Sequence, residues 1–144
     1  MTAHKGRRPS LLLLLRIYFV AVAVPVFLRL RLSRTSLFFE PRRPRPAADD
    51  ERGRELVRAV DWVMKSGWPL VRPGCLTRGF TLLYFLRRAG VDVELLFGVG
   101  ELEGRTEAHC WLVRDGEPYF ESSDPRLRFT AVCRLARGAA LPVG

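Results

Sequence analysis

The sequence predicts an α+β fold in which helices come first and an antiparallel sheet follows. Apolar residues recur at helical spacing up to Gly90, and beyond that glycine they alternate with a period of two. The Asp115-Gly116 pair is typical of a tight hairpin turn between neighbouring strands. This order favours one sheet packed on a central helix, and 144 residues are enough for a single modest domain.

The first segment, residues 1–40, contains an apolar run from Leu11 to Leu28 that carries one charge, Arg16. Such a helix is just long enough to cross a bilayer, and an arginine near one end can extend its charge to the headgroups. Basic residues flank the run on both sides and no small-residue cleavage site follows it, unlike a signal peptide. Two alternatives stay open: membrane association, or a hydrophobic helix packed against the domain or a partner.

A linker rich in proline and arginine, residues 41–48, separates this segment from a predicted domain over residues 49–144. Apolar residues at helical spacing predict the first helix of that domain from Asp49 to Met64. After a turn rich in proline and glycine, a second helix begins at Cys75 and ends in basic residues before Gly90. This second helix is apolar nearly all round, so it should be buried.

The strands are predicted in the segments "VDVELLFGVG", "TEAHCWLV", "RDGEPYF" and "FTAVCRL". Alternation in the second of these places Cys110 and Leu112 on one face, and His109 and Trp111 on the other. Cys110 is therefore predicted to be a core residue, and Trp111 to share the face of His109.

The composition is basic, with 24 Lys and Arg against 15 Asp and Glu and a net charge of +9. That charge favours anionic membrane surfaces, nucleic acids or acidic peptides, but no nucleic-acid-binding motif supports the second. Three cysteines without a CxxC pair argue against a disulfide framework and a zinc site. We expect a cytoplasmic protein with no metal, no cofactor and no nucleic-acid partner.

Cys75 lies where a protein places a nucleophile. A thiol in the first turn of a helix faces the positive end of the helix dipole, which stabilises the thiolate and lowers the pKa of the thiol. The free backbone amides of that turn can bind a developing oxyanion. A buried structural cysteine is the competing interpretation.

His109 is the candidate general base for this thiol. If the Cys75 helix packs across the sheet, a mid-strand histidine on the helix-facing side can meet the helix N-terminus. A carboxylate is then needed to orient the imidazole, and the hairpin at Asp115-Gly116 returns the chain antiparallel toward it. Glu121 is the first carboxylate beyond that turn and Asp124 the second.

The segments "PGCLTRGFTLLYFLRRAGV", "FGVG" and "AHCWLVRDGEPYFE" resemble the transglutaminase-like superfamily, and more narrowly the stand-alone B protein of lasso-peptide biosynthesis. That family begins its central helix with Cys-Leu-x-Arg, which Cys75, Leu76 and Arg78 match. The resemblance implies a papain-like cysteine protease core.

The histidine strand of the same family carries His-Ala-Trp, matched here by His109, Cys110 and Trp111, with cysteine in place of the usual alanine. The family's triad carboxylate falls at Glu121, where this chain has glutamate instead of aspartate. Asp124, within "SSDP", resembles the Asp-Pro found at a longer offset in other transglutaminase-like proteins.

The resemblance implies a cysteine peptidase that removes the leader from a ribosomally made precursor peptide through an acyl-enzyme on Cys75. It also implies two partners, a small leader-recognition protein and an asparagine-synthetase-like cyclase. Arg78, Trp111 and Trp68 are the candidate substrate-binding residues. Two alternatives remain: acyl transfer to an amine, and a non-catalytic, membrane-held binding protein of the same fold.

Overall fold

The computed structural model describes residues 9–29, 50–67, 69–136 and 139–143. Within these ranges the elements, in chain order, are helices α1 Leu11–Arg29, α2 Asp50–Ser66 and α3 Cys75–Arg88, then strands β1 Glu94–Leu102, β2 Arg105–Arg114, β3 Glu117–Pro118, β4 Thr130–Ala136 and β5 Ala139–Pro142. A short 3-10 helix, Pro125–Leu127, connects β3 to β4. The paired strands are antiparallel in the order β3-β2-β1-β4-β5. The predicted α+β class is confirmed.

The predicted helix boundaries follow from local signals. α2 carries Asp50 and Glu51 in its first turn, where carboxylates stabilise the positive end of the helix dipole. α3 begins at Cys75 as predicted and ends before Gly90, whose φ of 89° is the left-handed conformation that glycine tolerates at a helix end. The amide of Val91 then donates to the carbonyl of Leu86 at 2.9 Å, which closes the last turn.

The central helix α3 is held between the other helices and the sheet. Leu82, Leu83 and Leu86 are each at most 1% exposed, as the apolar sequence of this helix predicted. Arg87 is buried and donates to the carbonyls of Val93 at 3.0 Å and Leu135 at 3.2 Å. These bonds tie the C-terminal turn of α3 to the sheet and fix where its N-terminal turn lies.

The N-terminal helix α1 belongs to the same core as the rest of the domain. Its Ile17, Ala21 and Val24 are fully buried in one hydrophobic cluster with residues of α2, α3 and the sheet. α1 therefore packs against the predicted domain, as one of the two alternatives left open by the sequence has it, and the predicted linker, residues 41–48, lies outside the described residues. α1 is also long and apolar enough to cross a membrane by length and composition alone.

The sheet differs from the prediction at its two edges. β3 is limited to Glu117–Pro118, because proline has no N–H to continue a ladder and Phe120 turns the chain with a φ of 51°. At the other edge β5 adds a strand that no sequence segment predicted, since its four residues carry too little alternation to identify.

Close packing within the sheet explains why the first glycine of the "FGVG" segment, Gly98, has no side chain. It lies opposite His109 in the pairing of β1 with β2, and a Cβ at this position would come within 2.7 Å of the Trp111 ring and 2.9 Å of the Thr130 carbonyl oxygen. The missing side chain lets the indole fill the space on that face of the sheet.

Substituting Gly98 with alanine should lower the free energy of unfolding by about 1–3 kcal/mol, because neither a buried indole nor a strand backbone can move away cheaply. Chemical denaturation of wild type and Gly98→Ala measures this difference. Gly74→Ala is the control, since an added Cβ there meets no atom within 4 Å and its backbone is extended, so that only the loss of an N-cap glycine, below about 1 kcal/mol, is expected. Equal loss in both variants would contradict the proposed role of Gly98.

Candidate active site

The outer edge of β2 is unpaired over most of its length. β3 pairs only with Val113 and Arg114. The Leu112 carbonyl accepts from the Tyr119 amide at 2.8 Å, which shows that the backbone groups of Leu112 point to this outer edge. Backbone groups two residues apart on a strand point the same way, so the Cys110 amide also points outward. We call the stretch with the outward amides of Cys110 and Leu112 the free edge of β2.

Cys75 is seated beside this free edge. It is half-buried at the start of α3 and lines a cleft of about 630 Å³ together with His109, Cys110, Arg78 and Glu121. Its sulfur accepts hydrogen bonds from both the thiol and the backbone amide of Cys110. The sulfur therefore lies between the first turn of α3 and the edge of β2.

The pKa of the Cys75 thiol is lowered to about 5. The hydrogen bond from the Cys110 thiol is the largest cause, followed by the Cys110 backbone amide and by the hydrogen bond and charge of His109, while burial opposes the shift. Thiolate is the nucleophilic form of cysteine. At neutral pH this residue is consequently a thiolate.

His109 approaches Cys75 from the face of the sheet opposite to the one expected. Cys110 and Leu112 belong to the core on the α3 side of the sheet, so His109 lies on the opposite face, where its ring is 5.1 Å from Phe129 and 6.2 Å from Trp111 between centroids. The expectation that His109 faces the helix is therefore wrong. It acts on Cys75 because the sulfur lies beside the strand edge, within reach of side chains from both faces.

The two candidate carboxylates lie in different surroundings. Glu121 lines the cleft, is 13% exposed, and accepts from Arg78 at 3.2 Å and from the Leu112 amide on the free edge. Burial raises the pKa of Glu121, and the charges of Arg78 and His109 oppose that rise.

Asp124 lies at the surface and is not among the residues that line the cleft. Its carboxylate caps the 3-10 helix by accepting from the Arg126 amide at 3.0 Å, and it pairs with the Arg126 guanidinium at 2.8 Å. The hydrogen bond from Arg126 lowers the pKa of Asp124. The structure thus groups Glu121, and not Asp124, with Cys75 and His109.

The guanidinium of Arg78 joins α3 to α2 and to the segment after β3. It donates to Asp61 at 2.7 Å, to Glu121 at 3.2 Å and to the Phe120 carbonyl at 3.4 Å. Arg78 borders the cleft as expected, and these three bonds use three of the five N–H groups of its guanidinium, one of them to hold Glu121. Asp61 was not singled out in the sequence, because a carboxylate on an amphipathic helix looks the same whether it faces water or a neighbouring helix.

Of the two tryptophans predicted to contact substrate, the structure describes only Trp111. Trp111 is 1% exposed and does not line the cleft, so that expectation is wrong. Its ring is nearly parallel to the imidazole of His109, with an interplanar angle of 17°, and both rings lie on the face of the sheet away from α3. Trp68 lies outside the described residues.

The first turn of α3 offers backbone donors beside the thiol. Gly74 is its N-cap, and no side chain caps the turn within the described part of the chain. The Arg78 amide makes the first helical bond, to the Gly74 carbonyl at 3.0 Å, so the amides of the three preceding residues have no helical acceptor. In the described ranges no group of three or more His, Cys, Asp or Glu side chains is suited to a metal ion.

The site and fold agree with the comparison to known families. A family model described as the transglutaminase-like superfamily matches residues 16–134, which is most of the chain. The chain therefore belongs to the transglutaminase-like superfamily, which includes cysteine peptidases and acyltransferases. The match begins within α1, in agreement with the packing of that helix into the core. No curated protein and no solved structure matches the chain significantly.

The pKa of Cys75 can be checked by alkylation. Because the thiolate fraction falls as the pH drops through the pKa, labelling of Cys75 by iodoacetamide should be half-maximal near pH 5 and complete at neutral pH. Cys110→Ala removes the largest lowering influence, so its midpoint should move to higher pH. Peptide mapping after timed labelling measures both.

Cys133→Ala is the control for this experiment and should leave the midpoint of Cys75 unchanged. A wild-type midpoint near the ordinary cysteine value of about 8.5 would contradict the activated thiol.

Proposed function

We propose that this protein is a cysteine peptidase that removes the leader from a ribosomally made precursor peptide of the lasso type. The observation that carries the proposal is that Cys75, in the first turn of α3, lines an open cleft together with His109 and Glu121. Membership of a superfamily with cysteine peptidases supports the reaction class. The Cys-Leu-x-Arg and His-x-Trp strings, which resemble the lasso-peptide B protein, support the substrate.

The geometry supports an acyl-enzyme route. The Cys75 thiolate attacks the scissile carbonyl carbon, and the first-turn amides of α3 stabilise the negative oxygen that results. His109, as the imidazolium, gives its proton to the departing amine, and the peptide beyond the cut leaves. His109 then takes a proton from water, which attacks the thioester and releases the leader.

Glu121 has the position of an orienting group in this scheme. Its negative charge and the positive charge of the imidazolium attract each other, and Arg78 with the Leu112 amide keeps the carboxylate in place. A carboxylate that stabilises the imidazolium is the usual third member of such a triad. Glutamate in place of aspartate fits here because the strand edge and Arg78 hold its longer side chain.

Two protein partners belong to the proposal. The resemblance to the lasso-peptide B protein supports a small leader-recognition protein that delivers the precursor, and an asparagine-synthetase-like cyclase that takes the product. The protein would act in the cytoplasm, where precursor peptides are made.

Cleavage of a precursor peptide tests the proposed reaction. With the leader-recognition protein present, wild type should release the leader, and Cys75→Ala should lose at least about 10³-fold in kcat/KM because no acyl-enzyme can form. Chromatography with mass spectrometry measures the products. If wild type instead joins the acyl group to an added amine and yields no hydrolysed leader, the enzyme is an acyltransferase and the peptidase proposal is wrong.

The same assay separates the two carboxylates. Glu121→Gln should lower kcat by about 10²-fold, in the range expected for loss of acid–base assistance. Asp124→Asn is the matched control and should stay within about twofold, since asparagine caps a helix as well as aspartate does. A larger loss in Asp124→Asn than in Glu121→Gln would overturn the assignment of Glu121.

We also propose that the outer face of α1 binds a membrane surface. Leu11, Leu12 and Phe19 are about 70% exposed, while the opposite face of the helix is buried in the domain. A helix packed in this way lies along the domain, which favours insertion into the headgroup region over a membrane span. The basic residues on both sides of the helix are complementary to anionic lipid.

Co-sedimentation with anionic phosphatidylglycerol vesicles tests this proposal. Replacing Leu12 and Phe19 with glutamine should weaken binding by about tenfold for each side chain, following the burial energy of a large apolar group. Leu127→Gln is the control, because Leu127 is 83% exposed but lies on the distant 3-10 helix. Equal binding by all variants would rule out docking through α1.

A further inference from the structure

Cys110 is the residue beside the nucleophile whose thiol takes no covalent step in the proposed peptide cleavage. The lasso-peptide B proteins, which this strand resembles, usually have alanine at this position, whereas this chain has cysteine. Its side chain is 4% exposed, lines the same cleft as Cys75 and donates a hydrogen bond to the Cys75 sulfur. The two thiols therefore lie beside each other in the cleft.

The packing of α3 on the sheet makes this contact close. Gly79 is one turn after Cys75, and a Cβ there would come within 3.2 Å of the Cys110 sulfur and 2.9 Å of Leu95. The absence of a side chain at this position lets the helix approach β2 and β1. This approach places the two thiols within reach of each other.

We propose that Cys75 and Cys110 form a peroxide-reactive dithiol, in which a hydroperoxide oxidises Cys75 and Cys110 converts the product to a disulfide. The proposal uses the same nucleophile as the proposed peptidase, but it does not require that the protein cleave a peptide. Its substrate class is small hydroperoxides, with hydrogen peroxide as the simplest member.

The two steps balance as follows. The Cys75 thiolate attacks one oxygen of hydrogen peroxide, the O–O bond breaks, and hydroxide leaves with the electron pair, giving the sulfenic acid. The Cys110 sulfur then attacks the Cys75 sulfur, the S–O bond breaks, and the oxygen leaves as water with the proton of the Cys110 thiol. The two sulfurs are oxidised, the peroxide is reduced, and a dithiol reductant restores both thiols.

The order of the steps follows from the surroundings of the two thiols. Cys75 is half-buried beside the open cleft and its pKa is low, whereas Cys110 is nearly inaccessible and its pKa is raised by the hydrogen bond to Cys75 and by burial. Peroxide therefore meets the Cys75 thiolate first. Because Cys110 lies beside that sulfur in the same cleft, it can attack before a second peroxide arrives.

Cys133 cannot replace Cys110 in this reaction. Cys110 and Cys133 both pair with Phe97, one on each side of β1. Two strand spacings of about 4.8 Å put their Cα atoms about 10 Å apart, beyond the limit of about 7 Å for a disulfide, so these two cysteines do not pair with each other. Cys133 is also not among the residues that line the cleft with Cys75. Cys133 is thus a built-in control for non-specific oxidation.

The test is oxidation of the full-length chain by a small excess of hydrogen peroxide at pH 8, followed by alkylation and peptide mapping without reductant. Wild type should yield a Cys75–Cys110 linked peptide, and dithiothreitol should restore both thiols. Cys110→Ala should instead accumulate sulfinic and sulfonic acid on Cys75, at about tenfold the wild-type level, because no neighbouring thiol intercepts the sulfenic acid. Cys133→Ala should behave as wild type.

Overoxidation of Cys75 in wild type to the level seen in Cys110→Ala, without the linked peptide, would overturn the proposal, and so would a link through Cys133. Cys110→Ser provides a second variant if Cys110→Ala does not fold. The readout is separate from peptide cleavage. If the chain forms the link but cleaves no precursor, the dithiol proposal stands and the peptidase proposal is wrong. If the chain cleaves the precursor but forms no link, the peptidase proposal stands and the dithiol proposal is wrong.

Discussion

Two backbone amides on the free edge of β2 hold the site together, because β3 is too short to pair with them. The Cys110 amide donates to the Cys75 sulfur, and the Leu112 amide donates to the Glu121 carboxylate. An unpaired strand edge normally exposes such groups to water or to another chain. Here the start of α3 and the segment after β3 cover the edge. The two outward amides donate hydrogen bonds to two anions, the Cys75 thiolate and the Glu121 carboxylate.

This arrangement makes the fold and the chemistry depend on the same contacts. The C-terminal turn of α3 is fixed to the sheet by Arg87, and its N-terminal part is linked through Arg78 to α2 and to Glu121. The helix therefore cannot shift along the sheet without breaking bonds at both ends. That constraint keeps the Cys75 sulfur at the strand edge, where side chains from both faces of β2 reach it.

His109 and Cys110 both act on the charge of the Cys75 sulfur, but in different ways. His109 brings a group that can carry and release a proton, which acyl-enzyme chemistry needs. Cys110 brings a thiol that stabilises the thiolate at rest and can form a covalent bond with it after oxidation. One strand thus supplies adjacent residues suited to two reactions of a single sulfur atom.

The sequence alone determined the helix boundaries, the order of helices before strands, and the candidates Cys75, His109 and Glu121. Those features follow from local periodicity, from capping glycines and from short motifs, all of which are properties of neighbouring residues. Only the tertiary structure decided that His109 approaches from the far face of the sheet, that Asp124 caps a 3-10 helix, and that α1 shares the core. These depend on where a strand edge meets a helix end, and that distance is set by packing between segments far apart in the chain.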